Sequence, residues 1–308
     1  MEQPKFLDKL HDLLVKFASK DDTEYLVYNG DLDRVQADAF VRTSENRTPH
    51  KNVCVILTTY GGDADAAYRL ARYLRRRYTR FTVLVDTMCK SAGTLLAIGA
   101  HEIVMTELGE LGPLDVQIYK ADEVGEFSSG LTPFKAMHTI LDEAYAFFED
   151  KFLTLRFASD GQITTHLAAD IAAQLTTGLF SPILRQVDPM RIGELGRHVQ
   201  IALDYGNRIG HNNLKEGALN KLISGYPSHG FIIDREEAEE LFKTVRLPST
   251  DEMQLMDLVR GPFAELSAHA PYKFFYLDDM IEKCSLEQEE AENGDGVGEN
   301  PEDTAAKG

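Results

Sequence analysis

Apolar residues in the first third of the chain come in short, unbroken runs rather than in strict alternation. "EYLVYNGDL", "VCVILTTYGG", "FTVLVDT" and "EIVMTE" are each brief, rich in β-branched residues and closed by turn residues, which predicts strands buried on both faces. Between them the spacing changes. "DADAAYRLARYLRRRY" places Ala67, Leu70, Ala71, Leu74 and Tyr78 on one helical face, and "SAGTLLAIGA" predicts a short apolar helix. Strand and helix in alternation imply a parallel sheet covered by helices, an α/β fold. The polar stretch "RTSENRTPHKN" predicts a loop.

Residues 1–20 alternate charged and apolar positions as an amphipathic helix does. From Thr132 to about Phe157 a helix is predicted, with Phe134, Met137, Ile140, Leu141, Ala144, Phe147 and Phe148 marking one face. Ile163 to Arg208 reads as mostly helical, interrupted at "TTGLFSP" and "VDPMRIG". "LNKLISGYPSHGFIIDREEAEELF" predicts helix, loop, short extended piece and helix, with Asp234 capping the last helix and Glu237 three residues on. The expected organisation is a terminal helix over 1–20, an α/β core over 21–160, a mainly helical region over 161–284 packed on it, and an acidic tail over 285–308.

Charge narrows the partners. The net charge of −18 over 308 residues disfavours general nucleic-acid binding. About −7 of it lies in residues 285–308, where eight acidic residues face one lysine and too few apolar side chains exist to offset ordering, so a disordered tail is expected. Against this acidity stands one basic group, Arg69, Arg72, Arg75, Arg76, Arg77 and Arg80. It reads either as a grip for an acidic partner or neighbouring subunit, or as an outer face paired with local carboxylates. No apolar run reaches the 18–20 residues of a membrane span. Neither a signal-peptide pattern nor paired cysteine spacing is found, which predicts a cytoplasmic protein with no integral membrane segment. The nine histidines lack metal-binding spacing, so no metal and no cofactor are expected.

Chemistry concentrates at two turns that follow successive strands. In a parallel sheet, "TTYGGDAD" and "CKSAGT" emerge at the same carboxyl edge, where ligands bind. Each opens a helix, so backbone N–H groups without helical partners are available to hold an oxyanion. Gly61 and Gly62 allow close approach of a carbonyl, and Ala92 and Gly93 keep Ser91 accessible. Ser91 is then either a nucleophile or a simple helix N-cap. Cys89, at the end of a buried strand, reads as packed and inert. Gly112 and Pro113 form a turn that could line a cleft.

"TTYGGDADAAYRLARYL", "KSAGT" about thirty residues later, "LGPLDVQI" and "YPSHGFIIDREEA" (Tyr226–Ala238) together resemble the ClpP-like serine peptidases of the crotonase superfamily. Within these the chain looks closest to the soluble serine dehydrogenase proteinase group, relatives of signal peptide peptidase A. The resemblance covers roughly residues 21–245. It implies a spiral of stacked ββα units, a homo-oligomer, and an ATP-independent serine endopeptidase acting through an acyl-enzyme. Ser91 would be the nucleophile, with the N–H groups of Gly61 or Gly62 and of Ala92 as the oxyanion hole.

The base departs from the Clp pattern. "ELGPLDVQ" holds Asp115 where the Clp branch has a histidine, and a lysine as in the signal-peptide-peptidase branch is the substitute. Lys135 has the best spacing, with Lys120 and His138 as alternatives, while Lys90 is expected to point away from Ser91. His229 reads as a loop-holding residue. Two other readings stay open: an acyl-thioester enzyme, for which Glu107 and Glu110 are the nearby acids, or an inactive ClpP-like scaffold acting by assembly or partner binding. The expected partners are a protein or peptide substrate and further copies of the chain.

Overall fold

The computed structural model describes residues 3–114, 117–119, 127–129, 131–158, 162–269 and 273–279. Lys120, Asp115 and the acidic tail lie outside the described residues. Two compact units are present: residues 1–111 with 208–218 and 232–308, and residues 112–207 with 219–231.

In the first unit, helix α1 (Gln3–Asp21) leads into β1 (Thr23–Asn29), α2 (Arg34–Glu45), β2 (Asn52–Thr58), α3 (Ala64–Arg77), β3 (Arg80–Val85), β4 (Met88–Cys89), α4 (Ala92–Ile98), β5 (Glu102–Met105) and β6 (Glu110–Leu111). The second unit holds β7 (Gln117–Tyr119), β8 (Phe127–Ser129), α5 (Leu131–Phe157), α6 (Thr165–Leu184), most of α7 (Pro189–Ile209), and α8 (Ala218–Asn220), which runs on as a π-turn over Lys221–Gly225. The chain then returns to the first unit with α9 (Arg235–Leu241), β9 (Val245–Arg246), α10 (Thr250–His269) and β10 (Phe274–Tyr276).

The first unit is built on a six-stranded sheet of order β10-β1-β2-β3-β5-β9. All neighbours pair in parallel except β10, which runs antiparallel to β1. The four strands read from the sequence occur in it, and β1, β2, β3 and β5 are added in one direction. Right-handed crossovers therefore put α2, α3 and α4 on the same face. Side chains alternate across each strand, and Tyr25, Val27, Cys54, Ile56, Leu84 and Val104 form one buried cluster with Leu10 and Phe17 of α1 and Leu255, Met256 and Val259 of α10. So α1 and α10 cover the other face.

Several expectations change. Part of the "loop" after β1 is the end of α2, whose N-cap Asp33 accepts a hydrogen bond from the Gln36 N–H at 2.8 Å. α6 passes through "TTGLFSP" without a break, Gly178 and Pro182 included, and the interruption falls at 185–188 instead, where Pro189 opens α7. α6 is, by length and composition, a helix able to cross a bilayer, which the runs of apolar residues did not disclose because threonines and Gln174 divide them. β9, β10 and α10 carried no recognised signal. The cap of α9 is as read: Asp234 accepts from the Glu237 N–H at 2.9 Å.

Candidate active site

β2 does not end its pairing at Thr58. Thr59 bridges Cys89 in parallel, with the Thr59 N–H donating to Met88 O at 2.9 Å and the Lys90 N–H to Thr59 O at 3.0 Å. On the other side Gly62 bridges Leu32: the Leu32 N–H donates to Gly61 O at 2.8 Å and the Asp63 N–H to Leu32 O at 2.7 Å. These bonds lock the two turns together above the carboxyl edge of the sheet. They also fix a direction. Across a trans peptide the N–H points opposite to the C=O. Gly61 O accepts from the Leu32 N–H, so the Gly62 N–H of the same peptide points away from Leu32.

Ser91 lies against this turn. A Cβ on Gly61 would sit 2.9 Å from Ser91 Cβ and 3.4 Å from the Ala92 N. Only glycine allows that approach, and Gly61 and Gly62 both have positive φ, +121° and +128°. Ser91 itself has φ 49° and ψ −112°, a conformation that L-residues avoid. It occupies the N-cap position of α4 but makes no side-chain cap hydrogen bond, and it is neither buried nor fully exposed. The helix-cap reading therefore fails on geometry. A strained backbone that presents an uncommitted hydroxyl is the form nucleophiles take at strand-to-helix turns. Ala92 opens α4, so its N–H has no preceding helical carbonyl to bind.

The remaining candidates separate. Cys89 is fully buried, and burial pushes its thiol well above the ordinary range, which makes it a packed side chain and no nucleophile. Lys90 Nζ sits 2.6 Å from Glu110 Oε2 and donates to Leu111 O at 3.2 Å, so its charge is held on β6. Glu110 is thereby engaged, and Glu107 is largely exposed, 3.7 Å from Arg235. Lys135 falls in the first turn of α5, with its side chain outside what is described, and His138 is exposed on the same helix. Gly112 and Pro113 belong to the second unit, as does the half-buried His229. Among the described residues no group of His, Cys, Asp and Glu could hold a metal.

Asp86, five residues before Ser91, makes a long-range ion pair that the sequence did not reveal. It is buried and accepts two hydrogen bonds from Arg260 of α10, both at 2.6 Å. No signal links positions 174 residues apart. The arginine group is largely committed: Arg69 pairs with Asp38 at 2.7 Å, Arg80 with Glu102 at 2.9 Å, Arg75 meets Ile209 O and His211, and Arg77 donates to Arg47 O.

Comparison with known proteins bears on the same segment. Residues 34–125 match the model of the family described as ClpP-like SDH-type serine proteinases. Two uncharacterised proteins of Methanocaldococcus jannaschii are 37% identical over 68 residues and 36% over 64. The matched stretches are 22% and 21% of this chain, and the chain spans only about a quarter of the length of these relatives (24% and 22%). Among solved structures, a membrane-bound stomatin-specific protease, in a serine-to-alanine form, aligns over 79% of this chain and 86% of its own at 13% identity and TM-score 0.44. An enoyl-CoA hydratase-like protein of Streptomyces coelicolor aligns over 89% of this chain and 85% of its own at 11% identity and TM-score 0.35. Residues 34–125, which carry the paired glycines and Ser91, are thus similar to the ClpP-like SDH-type serine proteinases.

Proposed function

We propose that this chain is a serine peptidase that cleaves peptide bonds through an acyl-enzyme at Ser91, without ATP. The observation that carries the reading is the strained, uncapped Ser91 held against the Gly61–Gly62 turn. Ser91 Oγ attacks the scissile carbonyl, its proton passes to the base, and the carbonyl oxygen becomes an oxyanion. The N–H groups of Gly62 and Ala92 hold that oxygen as charge develops. The same base returns its proton to the leaving amine, and water then releases the acyl group. Lys135 is the candidate base, with Lys120 and His138 behind it, on the resemblance already described. The substrate is a protein or peptide, the assembly a homo-oligomer, and the compartment the cytoplasm.

A fluorophosphonate probe tests this. Ser91 Oγ displaces fluoride from phosphorus, so the intact protein should become labelled at Ser91. Ser91→Ala should abolish labelling, and Lys135→Ala should slow it at least tenfold. Unlabelled wild-type protein, or labelling retained in Ser91→Ala, overturns the reading. An undiminished rate in Lys135→Ala moves the base elsewhere.

A further inference from the structure

One buried side chain sits where the turn, the nucleophile segment and the first turn of α4 meet. Thr59 is 2% exposed. Its hydroxyl accepts the Gly61 N–H at 2.9 Å and donates to Gly61 O at 3.1 Å. Its methyl group fills the space over Gly93, where a Cβ would lie 2.4 Å from Thr59 Cγ2. Its backbone, bonded to Met88 and Lys90, belongs to the bridge that carries Ser91. The glycine pair thus offers two amides of different standing. The Gly61 N–H is occupied by Thr59, whereas no partner for the Gly62 N–H is found among the described residues.

We propose that Thr59 is a positioning residue for the oxyanion hole: its hydroxyl commits the Gly61 amide and sets the turn so that Gly62, of the two glycines, supplies the donor beside Ser91. This rests on the peptidase reading and says which amide acts and what holds it. The physical reason is preorganisation. Glycines at positive φ are the residues with most conformational freedom, so an amide carried on two of them is poorly aimed unless something anchors the turn. A hydroxyl that bonds both the N–H and the C=O of Gly61 anchors the peptide groups on either side of that residue, the second of which carries the Gly62 N–H, before substrate arrives.

The test compares fluorophosphonate labelling of the full chain in three forms, separating the maximal labelling rate from the probe concentration at half-saturation. Thr59→Val keeps the shape and removes the hydroxyl. It should lower the maximal rate about 10- to 100-fold at little-changed half-saturation, less than the roughly 100- to 1,000-fold for removing an oxyanion donor outright, because the Gly62 amide is misaimed and not lost. Thr59→Ser keeps the hydroxyl and should restore the rate to within about threefold. A merely structural threonine would change melting temperature and the labelled fraction but not the rate constant. In the wild-type protein, amide hydrogen exchange offers a measurement that no variant's folding can obscure. The Gly61 amide should exchange slowly, and the Gly62 amide should become protected only after Ser91 is phosphonylated. If wild type is labelled and Thr59→Val reacts at the same rate, or Gly61 exchanges as fast as Gly62, the role of Thr59 is refuted. If wild type is not labelled at all, the peptidase reading falls and this inference with it.

Discussion

Ser91 shows what a single residue contributes beyond its functional group. At φ 49° and ψ −112° its Cβ strains the backbone, a cost of roughly 1–3 kcal/mol that the surrounding bonds must hold in place. Glycine at this position would relieve the strain, while alanine would retain it. Ser91→Gly should therefore be more stable than Ser91→Ala by about 1 kcal/mol, after allowing for the greater freedom of glycine in the unfolded chain. Both variants should fail to react with a fluorophosphonate, and melting curves for the pair check the difference. At Gly61, added bulk meets Ser91 Cβ at 2.9 Å as well as a φ of +121°, so Gly61→Ala should abolish labelling and lower the melting temperature. Labelling of Gly61→Ala at the wild-type rate would show that the two turns do not touch.

Among the elements, α10 acts as a strap along one face of the sheet. Near its start, Glu252 takes two hydrogen bonds from Arg246 of β9 (2.7 and 2.8 Å) and one from the Ser249 N–H (2.7 Å). Eight residues later Arg260 grips Asp86 just beyond β3. Eight helical residues rise about 12 Å. The span from Thr82, beside Glu252 in the polar cleft at the amino edge, to Asp86 is four strand residues, about 13 Å. Helix and strand thus keep step, and one ion pair fastens each end. Burial alone would raise the Glu252 carboxyl, but the bonds from Arg246 and Ser249 outweigh it and hold it below the ordinary range. A folded-state pKa depressed in this way stabilises the protein above the unfolded value of about 4.3 and ceases to do so as pH falls through the folded value. Glu252→Gln should cost about 2 kcal/mol at neutral pH, discounted for the 39% exposure of Arg246. Its stability should also depend less steeply on pH below about 4 than that of wild type. Urea unfolding at pH 7 and at pH 3 measures both, and equal losses at the two values would show that the pair contributes no pH-dependent stability.

For the whole molecule, the homo-oligomer is the expectation with most at stake. α6 leaves Leu175, Leu179 and Ile183 exposed at four-residue intervals, with Leu167 eight residues before them and Leu184 beside them. Light scattering should give a mass that is a multiple of the 34.5 kDa chain at micromolar concentration. A mass of one chain across that range would sink the oligomer and leave the chemistry at Ser91 untouched.

The sequence by itself determined the strands β1, β2, β3 and β5, the helices α3 and α4, the pairing of a Gly-Gly turn with a serine turn, and the burial of Cys89. All of these follow from local patterns: unbroken β-branched runs, helical spacing, and small residues where chain turns. Tertiary structure alone decided the rest. Whether Ser91 caps its helix or presents its hydroxyl depends on a backbone angle beside the Thr59–Cys89 bridge, which joins segments thirty residues apart. Which glycine amide lacks a partner among the described residues depends on a threonine hydroxyl and on Leu32 across the bridge. The grip of Arg260 on Asp86 joins positions 174 apart in the chain, and β9 and β10 are too short to leave a pattern. Local periodicity encodes elements, whereas the aim of a donor or a hydroxyl is set by distant segments that only folding brings into contact.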